Sequence, residues 1–230
     1  MTPTEIPARH VVLSRRAAMI TAATLLLGAT TAWAAGGWPP AGHSEPAFRD
    51  VLKTVQLAMS VLVPFIGVLA VTELHRPGTS ADRRLAPRLL PVLGLTVGVA
   101  LAGTLLAATA TAWAGGGWPP AGQTATLVTG AVLVQLIAQL TGTASGMLLR
   151  RPVLAMASTV VVPMGTTALL GTIDRHDGLV RWLTPYGNAQ ALLAAKPIPS
   201  TFAGLCVVAL LWCVVPNVLG RWHINRNAPL

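Results

Sequence analysis

Six stretches of this chain run for about 20 residues almost without charge, enough as helix to cross a hydrocarbon core. They lie at about 17–35, 55–74, 89–113, 124–148, 152–173 and 201–219. Inside a bilayer no water satisfies the backbone, so a spanning segment must close its own hydrogen bonds as a helix. A spanning barrel would instead show short runs of alternating polarity, and these runs do not alternate. The sequence therefore predicts an all-α polytopic membrane protein, with residues 1–230 forming a single transmembrane domain. Only 10% of the residues are charged, against about a quarter in a soluble domain.

A near-exact repeat sets the expected topology. Residues 31–42 read TAWAAGGWPPAG and residues 111–122 read TAWAGGGWPPAG, at an offset of 80. Each copy closes an apolar run with two tryptophans, a glycine hinge and Pro-Pro. Indole rings favour the membrane–water boundary, and Pro-Pro stops a helix. Two helices are thus expected to leave the bilayer on one face. An offset of two crossings requires the first and third spans to be parallel. Basic residues agree. With the N-terminal segment 1–16 inside, eleven fall on the inner side and five on the outer. Arg150, Arg151 and Arg221 are among the eleven. That bias places both termini in the cytoplasm. Ser14-Arg15-Arg16 followed by Ala32-Trp33-Ala34 also looks like a twin-arginine signal peptide with a cleavage site. The same TAWA closes the third span, where no signal peptide can lie, and this weighs against cleavage.

Several chemistries are excluded. No GxxxxGK[ST], HExxH or GxSxG occurs. The five histidines are scattered, and no Asp or Glu lies in mid-span, where an ion-coupled carrier usually buries one. Cys206 and Cys213 stand about 10 Å apart along one helix, too far for a disulfide. No catalytic residue and no metal site is expected. The net charge of +9 is explained by positive residues retained beside the cytoplasm, with no nucleic-acid partner required.

The informative segments lie at the edges of spans. Residues 73–88, ELHRPGTSADRRLAPR, form an inner connection. Thr79 or Ser80 is a candidate N-cap, with Asp82 in the first turn, for a short helix along the inner membrane face. Segment 174–200 is the longest outer connection, and short re-entrant or interfacial helices are expected there, before the last span. Gly94, Gly98 and Ala102, and Gly142 with Gly146, have the spacing that lets membrane helices approach closely. Pro64, Pro163 and Pro216 lie inside spans and can kink them. Gln135 and Gln139 share one face of the fourth span. They, Ser60 and Asn217 either line a substrate path or hydrogen-bond neighbouring helices. Trp33, Trp38, Trp113 and Trp118 read as interfacial anchors or as contacts to cargo. Trp182 and Tyr186 read as an outer gate or as anchors.

Glu73, Arg76, Gly78-Thr79, Leu85, Pro87 and Arg88 resemble the cytoplasmic coupling segment of ABC-2-type exporter permeases, especially actinobacterial ones. Downstream, Gly146-Met147-Leu148-Leu149-Arg150, Val161-Val162-Pro163 and Arg181-Trp182-Leu183-Thr184-Pro185-Tyr186 resemble the family's G-x-LLR turn, fifth-span V-x-P and outer W-L-P-[FY] segment. Order and spacing fit over about residues 60–220, with Pro77 inserted ahead of the glycine. The resemblance implies a non-catalytic permease subunit of an ATP-driven exporter in a bacterial plasma membrane. Two cytosolic ATPase subunits, carrying ATP and Mg, would dock on residues 73–88. A second permease subunit, identical or related, would complete the pathway. Glu73, Arg76, Gly78, Thr79, Asp82, Arg83, Arg84, Pro87 and Arg88 would form the coupling site; the arginines can equally meet lipid headgroups. The expected cargo is an amphiphilic drug, antibiotic, peptide or lipid. The rival readings are an ion-coupled carrier and a non-transporting scaffold or sensor.

Overall fold

The computed structural model describes residues 15–36, 47–72, 81–174, 178–194 and 199–226, with the backbone alone described for 81–88 and 199. Every element among these residues is helical, and no strand occurs. The helices are α1 (Arg15–Gly36), α2 (Phe48–Met59), α3 (Val63–Thr72), α4 (Ala81–Trp113), α5 (Ala121–Leu148) and α6 (Pro152–Ile173). They continue with α7 (Gly178–Leu183), α8 (Pro185–Leu192), α9 (Pro199–Val208), a π-helical segment (Ala209–Val214) and α10 (Val215–Arg226). Six helical stretches are long and apolar enough to cross a membrane. This is a multi-pass membrane protein.

The second stretch begins earlier than its hydropathy suggests, at Phe48 and not near 55. Arg49, Asp50 and Lys53 make its start look polar. They occupy one side of α2, while Phe48, Val51, Leu52, Val55 and Met59 are buried on the other. Period-3.6 spacing separates the two faces. The last stretch is also longer than expected, reaching Arg226. Its end carries Arg226 over the Trp222 ring at 5.2 Å.

Residues 81–88 differ from expectation in another way. They form no separate helix along the membrane face but are the opening turns of α4, unbroken through Trp113. Pro87 and Pro91 lie past the first turn, and each forfeits one intrahelical bond, yet the helix continues through both. Glu73, Arg76, Gly78 and Thr79, and Ser80, lie outside the described residues, as does Trp38.

α5 is the hub, touching α2, α3, α4, α6, α8, α10 and the π-helical segment. α3 runs parallel to it at very short range. A Cβ at Gly142 would collide with the Pro64 carbonyl, and one at Gly67 would stand 2.6 Å from the Gln139 carbonyl oxygen. At Gly146 it would meet the Val71 side chain at 2.6 Å. The Gly142/Gly146 expectation thus matches the packing. The Gly94/Gly98 expectation does not: a Cβ on either glycine would touch nothing. On α4 the close approach is made by Gly103, against the Met59 sulfur, which also faces Gly28 of α1.

The repeat is now readable in space. α1 and α4 pack side by side, with Gly36 against the backbone of Ala110. Trp33 and Trp113 line one groove between them. Trp118 stacks on Phe48, with ring centroids 5.1 Å apart, and the Phe48 amide donates to the Gly117 carbonyl. The second copy therefore fixes where α2 begins.

Candidate functional site

The chain from Phe48 to Thr72 breaks at Ser60-Val61-Leu62. Sequence explains the break. Pro64 has no N–H, so the carbonyl of Ser60 loses the amide that would bond it in a continuous helix. The chain tightens there into short turns, Val61 N–H to Ala58 O and Leu62 N–H to Met59 O. Pro163 withholds the same amide from Thr159 within α6, which stays helical across it.

Both prolines face one cavity. It is a partly open cleft of about 80 Å³. Leu57, Ser60, Val61 and Pro64 come from the break, and Val134, Ile137, Ala138 and Thr141 from α5. Thr159, Val160, Pro163 and Met164 come from α6, and Pro185, Tyr186, Ala189 and Leu192 from α8. The lining is mainly apolar with a few polar groups, as in ligand sites generally. Among the described residues no charged side chain lines it.

Three hydroxyls at this wall are committed in the same way. The Ser60 hydroxyl donates to Leu57 O at 2.7 Å and the Thr141 hydroxyl to Ile137 O at 2.9 Å. The Thr159 hydroxyl donates to Met156 O at 2.7 Å. Each hydroxyl proton is spent on its own helix, which leaves lone pairs.

The segment between α6 and the last stretch builds one side. Asp174 accepts from the amides of Leu179 and Val180 and so caps α7. The Thr184 hydroxyl accepts from the Gly187 amide at 3.0 Å and caps α8, where Pro185 fits the first turn. Between the two helices, the Leu183 carbonyl accepts from the Trp212 indole at 2.8 Å. Trp212 belongs to the π-helical segment, halfway along the last stretch. Pro216 explains that segment, because it withholds an amide from the Trp212 carbonyl and loosens the turn. Trp212 went unmarked in the sequence, where one Trp inside an apolar run has no distinguishing signal.

Of the proposed path residues, Ser60 lines the cavity. Gln135, Gln139 and Asn217 sit elsewhere, bonded to other helices. The Gln135 amide donates to the Gln56 carbonyl at 2.9 Å and to Gln56 Oε1 at 2.8 Å. Gln56, which the sequence reading passed over, donates onward to Ala100 O at 2.8 Å and Thr104 at 3.3 Å. One wholly buried chain of amides thereby ties α5, α2 and α4. Gln139, oriented to match donors with acceptors, donates to Val63 O at 2.9 Å and accepts from Gly67 N–H at 3.1 Å. It satisfies backbone groups where α3 restarts. Asn217 donates to Leu140 O at 2.9 Å and Cys213 O at 2.7 Å and accepts from Thr143 at 2.9 Å.

Of the outer-gate residues, Tyr186 lines the cavity and Trp182 lies beside Gly204 of α9. Trp33, Trp113 and Trp118 are 63%, 80% and 54% exposed, on surface that in a bilayer meets lipid or headgroups. Asp82, Arg83, Arg84, Pro87 and Arg88 belong to the opening turns of α4. No family model, curated protein or solved structure matches the chain.

Proposed function

We propose that this chain is the membrane subunit of an ATP-driven exporter and that the proline-bordered cavity is a station for an amphiphilic cargo. The observation that carries the reading is the cavity itself. It opens where one spanning stretch is broken and meets α5, a second proline-bearing helix and the short helix α8. Non-helical backbone at membrane depth is tolerated where it lines a cavity or is buried in protein, and broken helices mark binding sites in transporters.

In this reading both termini are cytoplasmic, the tryptophan-bearing ends face outward, and the membrane is a bacterial plasma membrane. The α7–α8 pair is a re-entrant hairpin. Its support is the Leu183–Trp212 bond and the place of Tyr186 on one cavity wall with Ile137 and Thr141, past the midpoint of α5. The hairpin closes the cavity toward the outside. Residues 73–88 receive the ATPase. Because residues 81–88 continue as α4, a push there travels along one rod toward Gly103 and Met59, next to the break. Two ATPase subunits and a second permease subunit complete the exporter; this chain itself hydrolyses nothing.

Affinity purification of the tagged chain from its own host should recover a Walker-motif ATPase. Arg83→Glu/Arg84→Glu/Arg88→Glu should lose it while the chain still inserts. In inverted vesicles, ATP-dependent uptake of an amphiphilic dye should fall to background in Val160→Trp, which fills the cavity from the half-exposed helix α6. Recovery of the intact chain with no ATPase, or undiminished uptake in Val160→Trp, would overturn the reading.

A further inference from the structure

The cavity wall offers acceptors almost exclusively. The protons of Ser60, Thr141 and Thr159 are already given to carbonyls of their own helices. Pro64 and Pro163 remove the amides that would occupy the carbonyls of Ser60 and Thr159. Among the described residues no Lys, Arg, His, Asn or Gln lines the cavity to donate, and Tyr186 carries its one uncommitted hydroxyl. No Asp or Glu among the described residues is there to hold a full positive charge. In an apolar surrounding an unanswered acceptor is costly, so a ligand that supplies donors gains what a pure hydrocarbon cannot. A lipid acyl chain would fill the apolar part and leave the carbonyls unanswered.

We propose that this cavity selects an apolar, uncharged small molecule that bears N–H or O–H donors, such as an aromatic amine or a phenol. The donors reach the carbonyl and hydroxyl lone pairs at Ser60 and Thr159, and the ring system lies against Val134, Ile137 and Leu192. The inference rests on the cavity being a cargo station, but it requires neither the ATPase nor turnover.

Binding of 1-aminoanthracene and of anthracene to the purified full chain in detergent, read by fluorescence, separates the two. The pair differ by one amine. Val160→Trp should weaken both, which locates them in the cavity. The wild type should favour the amine about fivefold, the size of one net hydrogen bond. The preference should shrink in Ser60→Ala/Pro163→Ala, where one hydroxyl is lost and the Thr159 carbonyl regains an amide. α6 is already helical through Pro163, so the alanine fits its backbone. Equal binding of the two probes, or a preference unmoved in the double variant, would overturn donor selection and leave the cargo station standing. Binding of neither probe would overturn both.

Discussion

At the scale of single residues, glycine and glutamine hold this molecule together. In lipid there is little hydrophobic drive between helices, so close packing and interhelical hydrogen bonds carry the association. Gly142→Ala should destabilise the fold by about 1–3 kcal/mol, because its methyl meets the Pro64 backbone and not a movable side chain. Gly165→Ala, where a Cβ touches nothing, is the matched control and should be neutral. Unfolding in mixed micelles compares them. Gln135→Leu should cost about 1 kcal/mol. In a double-mutant cycle with Gln56→Leu the losses should fall short of additivity, since the two amides share a bond. Additive losses would show that each acts alone. The sequence singled out Gln135 and Gln139 correctly as groups needing partners. It had no means of choosing between a path and a neighbour, because that depends on which helix faces them. Gln56 was missed because it follows the charged start of α2, where an amide looks ordinary.

At the scale of elements, prolines decide where helices yield. Pro64 ends α2, Pro216 accompanies a π-helical segment, and Pro163 leaves α6 unbroken. The sequence marked all three as kink sites, but their different outcomes depend on what stands opposite. Gly142 lets the broken chain at Pro64 press directly on α5, whereas α6 is exposed along most of its length. The α7–α8 pair should depend on two bonds. Thr184→Ala removes the α8 cap and should cost about 1 kcal/mol. Trp212→Phe removes the indole bond to Leu183 while keeping an aromatic ring. Hydrogen exchange over residues 178–192 should accelerate in both variants, with the rest of the protein unchanged. Unaltered exchange in Trp212→Phe would mean that packing alone holds the pair.

At the scale of the whole molecule, the repeat reports parallel packing. α1 lies beside α4 and the α2–α3 stretch beside α5, each pair running in the same direction. Trp33, Trp113 and Trp118 lie at one end and Arg150, Arg151, Arg221 and Arg226 at the other. The sided arrangement makes a labelling prediction. In a Cys206→Ser/Cys213→Ser background, Gly117→Cys should react with a membrane-impermeant maleimide on intact cells. Arg151→Cys should react only after lysis. The reverse pattern would invert the proposed topology and with it the proposed ATPase contact at residues 73–88. Either residue can be replaced freely, since a Cβ at Gly117 meets nothing and Arg151 is exposed.

The sequence by itself determined the membrane class, the six stretches long and apolar enough to cross, and the parallel first and third of them. Those properties depend on run length, charge and local periodicity, which are written along the chain. It also marked the prolines, glycines and amides as positions needing an explanation. Only the tertiary structure decided that Pro64 and Pro163 face one cavity, that Gln56 joins Gln135, and that Trp212 meets Leu183. Each of these pairs residues from different helices, and their meeting depends on helix rotation and depth. In a chain apolar on nearly every side, hydropathy leaves rotation almost unspecified. Glycine contacts and the few polar bonds set it.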